Sequence, residues 1–145
     1  MTKVFYLLIF LSFSSFAESN LATEARKLLP QNLQELTLNK MTSLEVQKKL
    51  GKPQLIEGNK QYWEIDGFKY GLELTFDKSK KLETIHYSFV GKRPLITRLS
   101  KFDTEKLLPV TQGGKVSSSL MKLKEKDCEV VIDVSSKTIY SVRLP

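Results

Sequence analysis

Cysteine, histidine and tryptophan each occur once in the chain, as Cys128, His86 and Trp63. A lone cysteine excludes an intramolecular disulfide, and together with a lone histidine it excludes the ligand sets from which zinc centres are built. Stability therefore has to come from packing. His86 falls on the polar side of an expected strand, beside Thr84 and Ser88, where it reads as an exposed histidine without a partner and a Ser/His/Asp arrangement lacks its parts. No glycine-rich phosphate loop precedes a helix, because Gly113-Gly114 leads into an expected strand. Ser119-Leu120-Met121-Lys122 matches the Ser-x-x-Lys of serine β-lactamases, but its Ser-Asp-Asn and Lys-Thr-Gly companions are missing and the segment reads as strand. Long apolar runs are scarce too: Val4 to Phe13 is too short to span a bilayer, and no later stretch is apolar enough to cross one. No enzymatic activity, cofactor or metal is expected.

What is present at the amino terminus sets the compartment. Lys3, the apolar run after it and Ser15-Phe16-Ala17 have the layout of a secretory signal, giving a signal peptide over residues 1–17 cleaved after Ala17. The mature chain is expected to be soluble and either periplasmic or secreted. The net charge of +7 loses only Lys3 on cleavage, and the surplus is dense at Lys78-Ser79-Lys80-Lys81 and Gly91-Lys92-Arg93-Pro94. Such loops suit anionic lipid, an acidic protein face or plain solvation. Nothing interleaves aromatic and basic residues as a single-strand groove requires, so no nucleic-acid partner is expected.

A short pattern occurs twice. Leu38-Asn39-Lys40-Met41-Thr42-Ser43 is echoed by Leu99-Ser100-Lys101-Phe102-Asp103-Thr104, Gly58-Asn59-Lys60 by Gly113-Gly114-Lys115, and Glu73-Leu74-Thr75-Phe76-Asp77 by Glu129-Val130-Val131-Ile132-Asp133. Two half-size units, 18–90 and a shortened 91–145, are expected to share one sheet. The same alignment sets Cys128 opposite Leu72, the position of a small buried hydrophobe. Asp77 and Asp133 fall at matching turns, where an aspartate capping its own loop explains both.

Local signals place the elements. A first helix is expected over Leu21 to Leu29, with Asn20 as cap and Pro30 as stop. Thr42 with Glu45 makes a capping box for a second, stapled by Met41 and Val46, buried through Leu44, Val46 and Leu50, and closed by Gly51 and Pro53. In the second copy Asp103 takes the cap, Phe102 and Leu107 the staple, and Pro109 the stop. Asp66-Gly67 is a hairpin signal that pairs Ile65 with Phe68, Glu64 with Lys69 and Trp63 with Tyr70, apolar pairs on one face and charged pairs on the other. Continuing the alternation sets Leu74 opposite Ile85, Leu72 opposite Tyr87 and Tyr70 opposite Phe89. The last strand breaks phase, with Tyr140, Val142 and Leu144 on one side and Ile139 on the other. Either a bulge or burial on both faces would account for that.

The run Leu38 to Pro53, then Tyr62-Trp63, Leu74-Thr75-Phe76-Asp77 and Leu82-Glu83-Thr84-Ile85, resembles the SmpA/OmlA (BamE-like) envelope protein family over residues 37–90. The resemblance implies an α+β fold with helices packed on one face of an antiparallel sheet, shared with secreted β-lactamase inhibitor proteins, in which a duplicated unit builds a concave binding sheet. It also implies work by contact with other envelope proteins, in outer-membrane protein assembly or envelope integrity. Members are typically lipoproteins, whereas Ala17-Glu18 offers no lipid-anchoring cysteine. Inhibition of an enzyme and attachment to an anionic membrane surface are the alternatives. The expected protein-binding surface is the face opposite the helices, with Tyr62, Glu64, Lys69 and His86 pointing from it. Trp63 is expected in the core.

Overall fold

Proline and glycine keep the helices short. In the computed structural model, which describes residues 20–99 and 106–145, helix α1 (Asn20–Leu28) ends before Pro30, and Pro30 opens a four-residue helix α2 (Gln31–Gln34). Proline is tolerated at a helix start because the N–H it lacks would have had no partner there. Helix α3 (Ser43–Leu50) begins on the capping box: Glu45 N–H donates to Thr42 Oγ1 at 3.3 Å and Thr42 N–H to Glu45 Oε2 at 2.8 Å. Gly51, at φ 82°, ends it. Val46 is buried, but Leu44 is 70% exposed and not part of the helix's apolar side.

Apart from a 3-10 turn at Ile96–Arg98, the other described elements are strands: β1 (Leu55–Glu57), β2 (Lys60–Ile65), β3 (Phe68–Phe76), β4 (Leu82–Ser88), β5 (Leu108–Gln112), β6 (Lys115–Glu125), β7 (Cys128–Asp133) and β8 (Thr138–Leu144). They form one antiparallel sheet in the order β1-β2-β3-β4-β8-β7-β6-β5, two four-stranded meanders meeting where β4 pairs with β8. Glu73 to Phe76 lie on β3 and Glu129 to Asp133 on β7, the third strand of each meander. Asp66 (φ 47°) and Gly67 (φ 82°) make the tight turn between β2 and β3. The two recurring aspartates hold their own turns: Asp77 Oδ1 accepts from Ser79 N–H (2.8 Å) and Lys81 N–H (2.9 Å), and Asp133 Oδ1 from Ser135 N–H (3.0 Å).

Register turns the alternation of each strand into rows that cross the sheet. Trp63, Leu72, Tyr87, Val142, Val130 and Leu123 are successive partners on one face, and Leu74, Ile85 and Leu144 make a second row. All nine are buried. Each such side chain is worth roughly 1.5–3 kcal/mol of hydrophobic free energy. Helix α1 lies against β6, β7 and β8, adding Ala25 and Leu28 to this core, to which Leu33, Leu36 and Val46 also belong. Trp63 donates its indole N–H to the carbonyl of Gly51 at 3.2 Å, tying β2 to the end of α3. Cys128 is buried as well.

The expected fold and one strand register need correction. The expected α+β fold, helices packed as a layer on one face of the sheet, gives way to a mostly-β architecture: an eight-stranded antiparallel sheet with only a few short helices. The cause is partly local, since helices of nine, four and eight residues are what the Pro30 and Gly51 stops permit. The second-copy helix that Pro109 was expected to close falls on residues outside the described ones, and Pro109 itself is in a strand. It sits inside β5, an edge strand, where a missing N–H costs no ladder bond. The expected cap and staple residues Asp103 and Phe102, like the signal segment, lie outside the described residues. Ser119 to Lys122 form part of β6.

The other correction concerns register. Ile65 does pair with Phe68, but Trp63 pairs with Leu72 rather than Tyr70, because β3 carries a bulge opposite Trp63 to Ile65. Gly71 makes the bulge possible: a Cβ there would stand 2.5 Å from Ile65 Cβ. Leu74 meets Ile85 and Leu72 meets Tyr87 as the alternation required. In β8 a shift beside Val131 and Ile132 lets Ile139, Val142 and Leu144 all be buried, so of the two explanations for that strand the bulge holds.

Candidate functional site

The face opposite the core is polar, and register orders it as strictly as it orders the core. Tyr62 on β2 pairs with Glu73 on β3, Glu73 with His86 on β4, His86 with Arg143 on β8, and Arg143 with Glu129 on β7, which pairs with Lys124 on β6. Directly opposed residues of an antiparallel pair have Cβ atoms about 4.5–5.5 Å apart, so this is a continuous line of interacting side chains. Lysines flank it. Lys60 Nζ stands 3.3 Å from Glu73 Oε1 and Lys122 Nζ 3.1 Å from Glu129 Oε1. The first contact is off the line of a hydrogen bond, leaving the buried Oε1 of Glu73 with a charge beside it and no donor.

At its centre Arg143 Nη2 lies 3.3 Å from His86 Nδ1. His86 is thus half-buried and partnered, a correction to its reading as an exposed lone histidine. Burial first, then the Arg143 charge, hold the imidazole below its usual pKa of 6.5, against an upward pull from Glu73 and Glu129. At the β2 end the phenol of Tyr62 is pushed above 10 by burial, with the carboxylate of Glu73 adding to the shift.

Beyond Tyr62 the row opens into exposed aromatics. The Tyr62 and Tyr70 rings meet edge to face at 5.2 Å, Phe68 and Tyr70 at 6.5 Å, and Lys69 Nζ lies 5.7 Å above the Tyr70 ring. Tyr70 is 46% and Phe68 45% exposed. The bulge at Gly71 sets Tyr70 beside Tyr62 rather than beside Trp63, and strict alternation from Asp66-Gly67 could not have revealed it. At the opposite end, Thr84, Glu129, Arg143 and Lys124 help line an open depression of about 470 Å³.

Of the four residues singled out from sequence, Tyr62 and His86 stand two places apart in the cross-strand row. Lys69 reaches its aromatic end through Tyr70. Glu64 is exposed at the bulge, its N–H donating to Gln54 Oε1 at 2.9 Å, and is not one of the row's pairs. Glu73, Arg143 and Glu129 went unnoticed because they lie far apart in the chain. No group of three or more metal-binding side chains converges among the described residues, and no described helix is long and apolar enough to cross a membrane.

No protein-family model and no curated protein matches the chain. Among solved structures it is similar to a DUF4309 family protein, YjgB, from Bacillus subtilis, with a TM-score of 0.55 and 22% identity over 86% of this chain and 91% of that one. The SmpA/OmlA resemblance is therefore corrected: the likeness that spans the chain is to a different family. The motif that suggested it encodes a capped helix, a Gly-x-Pro stop and alternating strands, which any fold with those local parts satisfies. At this level of identity the likeness to the DUF4309 protein is one of fold.

Proposed function

We propose that the protein is a non-enzymatic binding module, exported by its amino-terminal signal, that docks another protein on the outer face of its sheet. One observation carries this reading: exposed aromatics, Phe68 and Tyr70, adjoin a row of alternating charges that crosses from β2 to β6. Tyrosine and arginine anchors ringed by polar groups are the composition of protein contact patches, where large rigid side chains supply area at low entropic cost. Opposed charges in fixed register add selectivity, since a partner has to match their order.

The test is site-specific photocrosslinking in the native host, with the photoreactive residue at Tyr70 and, as control, at the still more exposed Leu44. Crosslinks to one defined protein from position 70 and not from 44, lost when His86 and Arg143 are both replaced by alanine, support the reading. Adducts equal at the two positions, or none at 70, refute it. The exposed Lys78, Lys80 and Lys81 at the β3–β4 turn favour a second reading, attachment to an anionic membrane surface. Vesicle binding that needs anionic lipid and fades with salt would favour it.

A further inference from the structure

The contact between His86 and Arg143 constrains where protons lie. A guanidinium can only donate, so the Nδ1 that faces Arg143 Nη2 at 3.3 Å has to be the acceptor. The imidazole is then neutral with its proton on Nε2. A second proton can enter only at Nδ1, where it removes the acceptor and leaves two cations face to face.

The charged groups around the ring offer each cation an alternative. Across β3, Glu73 is the register partner of His86 and holds a buried Oε1 without a donor; across β8 and β7, Glu129 is the register partner of Arg143. Both carboxylates are engaged by lysines, Lys60 on β2 and Lys122 on β6. Tyr62 beside Glu73 and Lys124 beside Glu129 complete the set, while Thr84 and Ser88 on β4 carry no charge. We propose that His86 and Arg143 form a proton-operated switch: uptake of a solvent proton at Nδ1 breaks their contact and re-pairs the row as His86 with Glu73 and Arg143 with Glu129, loosening Lys60 and Lys122 toward solvent. The device is a property of the isolated chain and needs no partner.

His86 is the sole histidine, so its ring nitrogens give one unambiguous set of NMR signals in the uniformly labelled full-length protein. At neutral pH the long-range ¹⁵N–¹H pattern should show a protonated Nε2 and an acceptor-type Nδ1. On acidification the ring should titrate with a midpoint below 6.5, and the Glu73 and Glu129 carboxyl ¹³C signals should move with that same midpoint. Arg143→Gln removes the opposing charge and should raise the midpoint by about one unit, roughly a tenfold gain in proton affinity. Glu129→Gln should lower it, and serves as the decisive variant if Arg143→Gln does not fold. A proton on Nδ1 at neutral pH, a midpoint unmoved in the folded variants, or carboxyl signals that ignore the histidine titration would each overturn the proposal.

Discussion

Replacing Gly71 with alanine tests the feature that places the aromatic cluster. The new Cβ would stand 2.5 Å from Ile65 Cβ, 2.6 Å from Ile65 Cγ1 and 3.1 Å from the Ile65 backbone nitrogen. None of these is the loose end of a flexible side chain, so β2 and β3 must separate or the bulge must move. Overpacking of this kind costs about 1–3 kcal/mol. For a chain of this size that lowers the melting temperature by roughly 4–12 °C. Gly67→Ala is the control: at φ 82° it meets nothing within 4 Å, so its cost is the left-handed backbone alone, about 1–2 kcal/mol. In an Ile65→Gly background the two closest obstructing atoms are gone and only the backbone nitrogen at 3.1 Å remains. The Gly71→Ala penalty should then fall below about 0.5 kcal/mol while that of Gly67→Ala persists, a coupling read from thermal and urea unfolding of the four-member cycle. Because the bulge sets Tyr70 against Tyr62, the single variant should also lose near-ultraviolet circular dichroism from that ring pair. Equal melting temperatures for wild type and Gly71→Ala, or an equal penalty in both backgrounds, would refute the account of how β2 and β3 pair.

Three further outcomes are expected. Ile85→Ala, at a fully buried position between Leu74 and Leu144 where the two meanders join, should cost about 2–5 kcal/mol in chemical denaturation. Thr42→Ala removes the cap of α3 and should cost about 0.5–2 kcal/mol, whereas Thr42→Ser should cost little in the same assay. The unfolded chain holds the His86 proton near the ordinary 6.5 and the folded chain releases it at lower pH, so between those two values the unfolded state binds more protons. The unfolding free energy should therefore decline as pH falls through 6.5 toward the folded-state midpoint and level off below it. His86→Gln should abolish that decline, which pH-dependent urea titrations would show.

The local parts were legible before the fold was. Thr42 with Glu45, Gly51, Pro30, Asp66-Gly67 and the turn aspartates Asp77 and Asp133 act through atoms a few residues away, so their neighbours in sequence are their neighbours in space. Alternation along β3 and β4 likewise told which residues share a face, and so put Leu74 on Ile85 and Leu72 on Tyr87. The same locality misled where a motif was taken for a family, because capped helices and hairpins recur across unrelated architectures.

Tertiary pairing decided the rest. That Pro109 lies in an edge strand emerges only once β6 is placed beside β5, and Tyr70 reads as core until Gly71 is seen making room for Ile65. His86 looks solitary in the sequence because its partners, Glu73, Arg143 and Glu129, reach it only once β4 lies between β3 and β8 and β7 pairs beyond. Sequence by itself determined turns, caps and the two-sidedness of strands, since those depend on backbone dihedrals and side-chain parity. Which charges stand side by side, and hence what the outer face can bind or sense, depended on strand order and bulges, which arise from packing between segments distant along the chain.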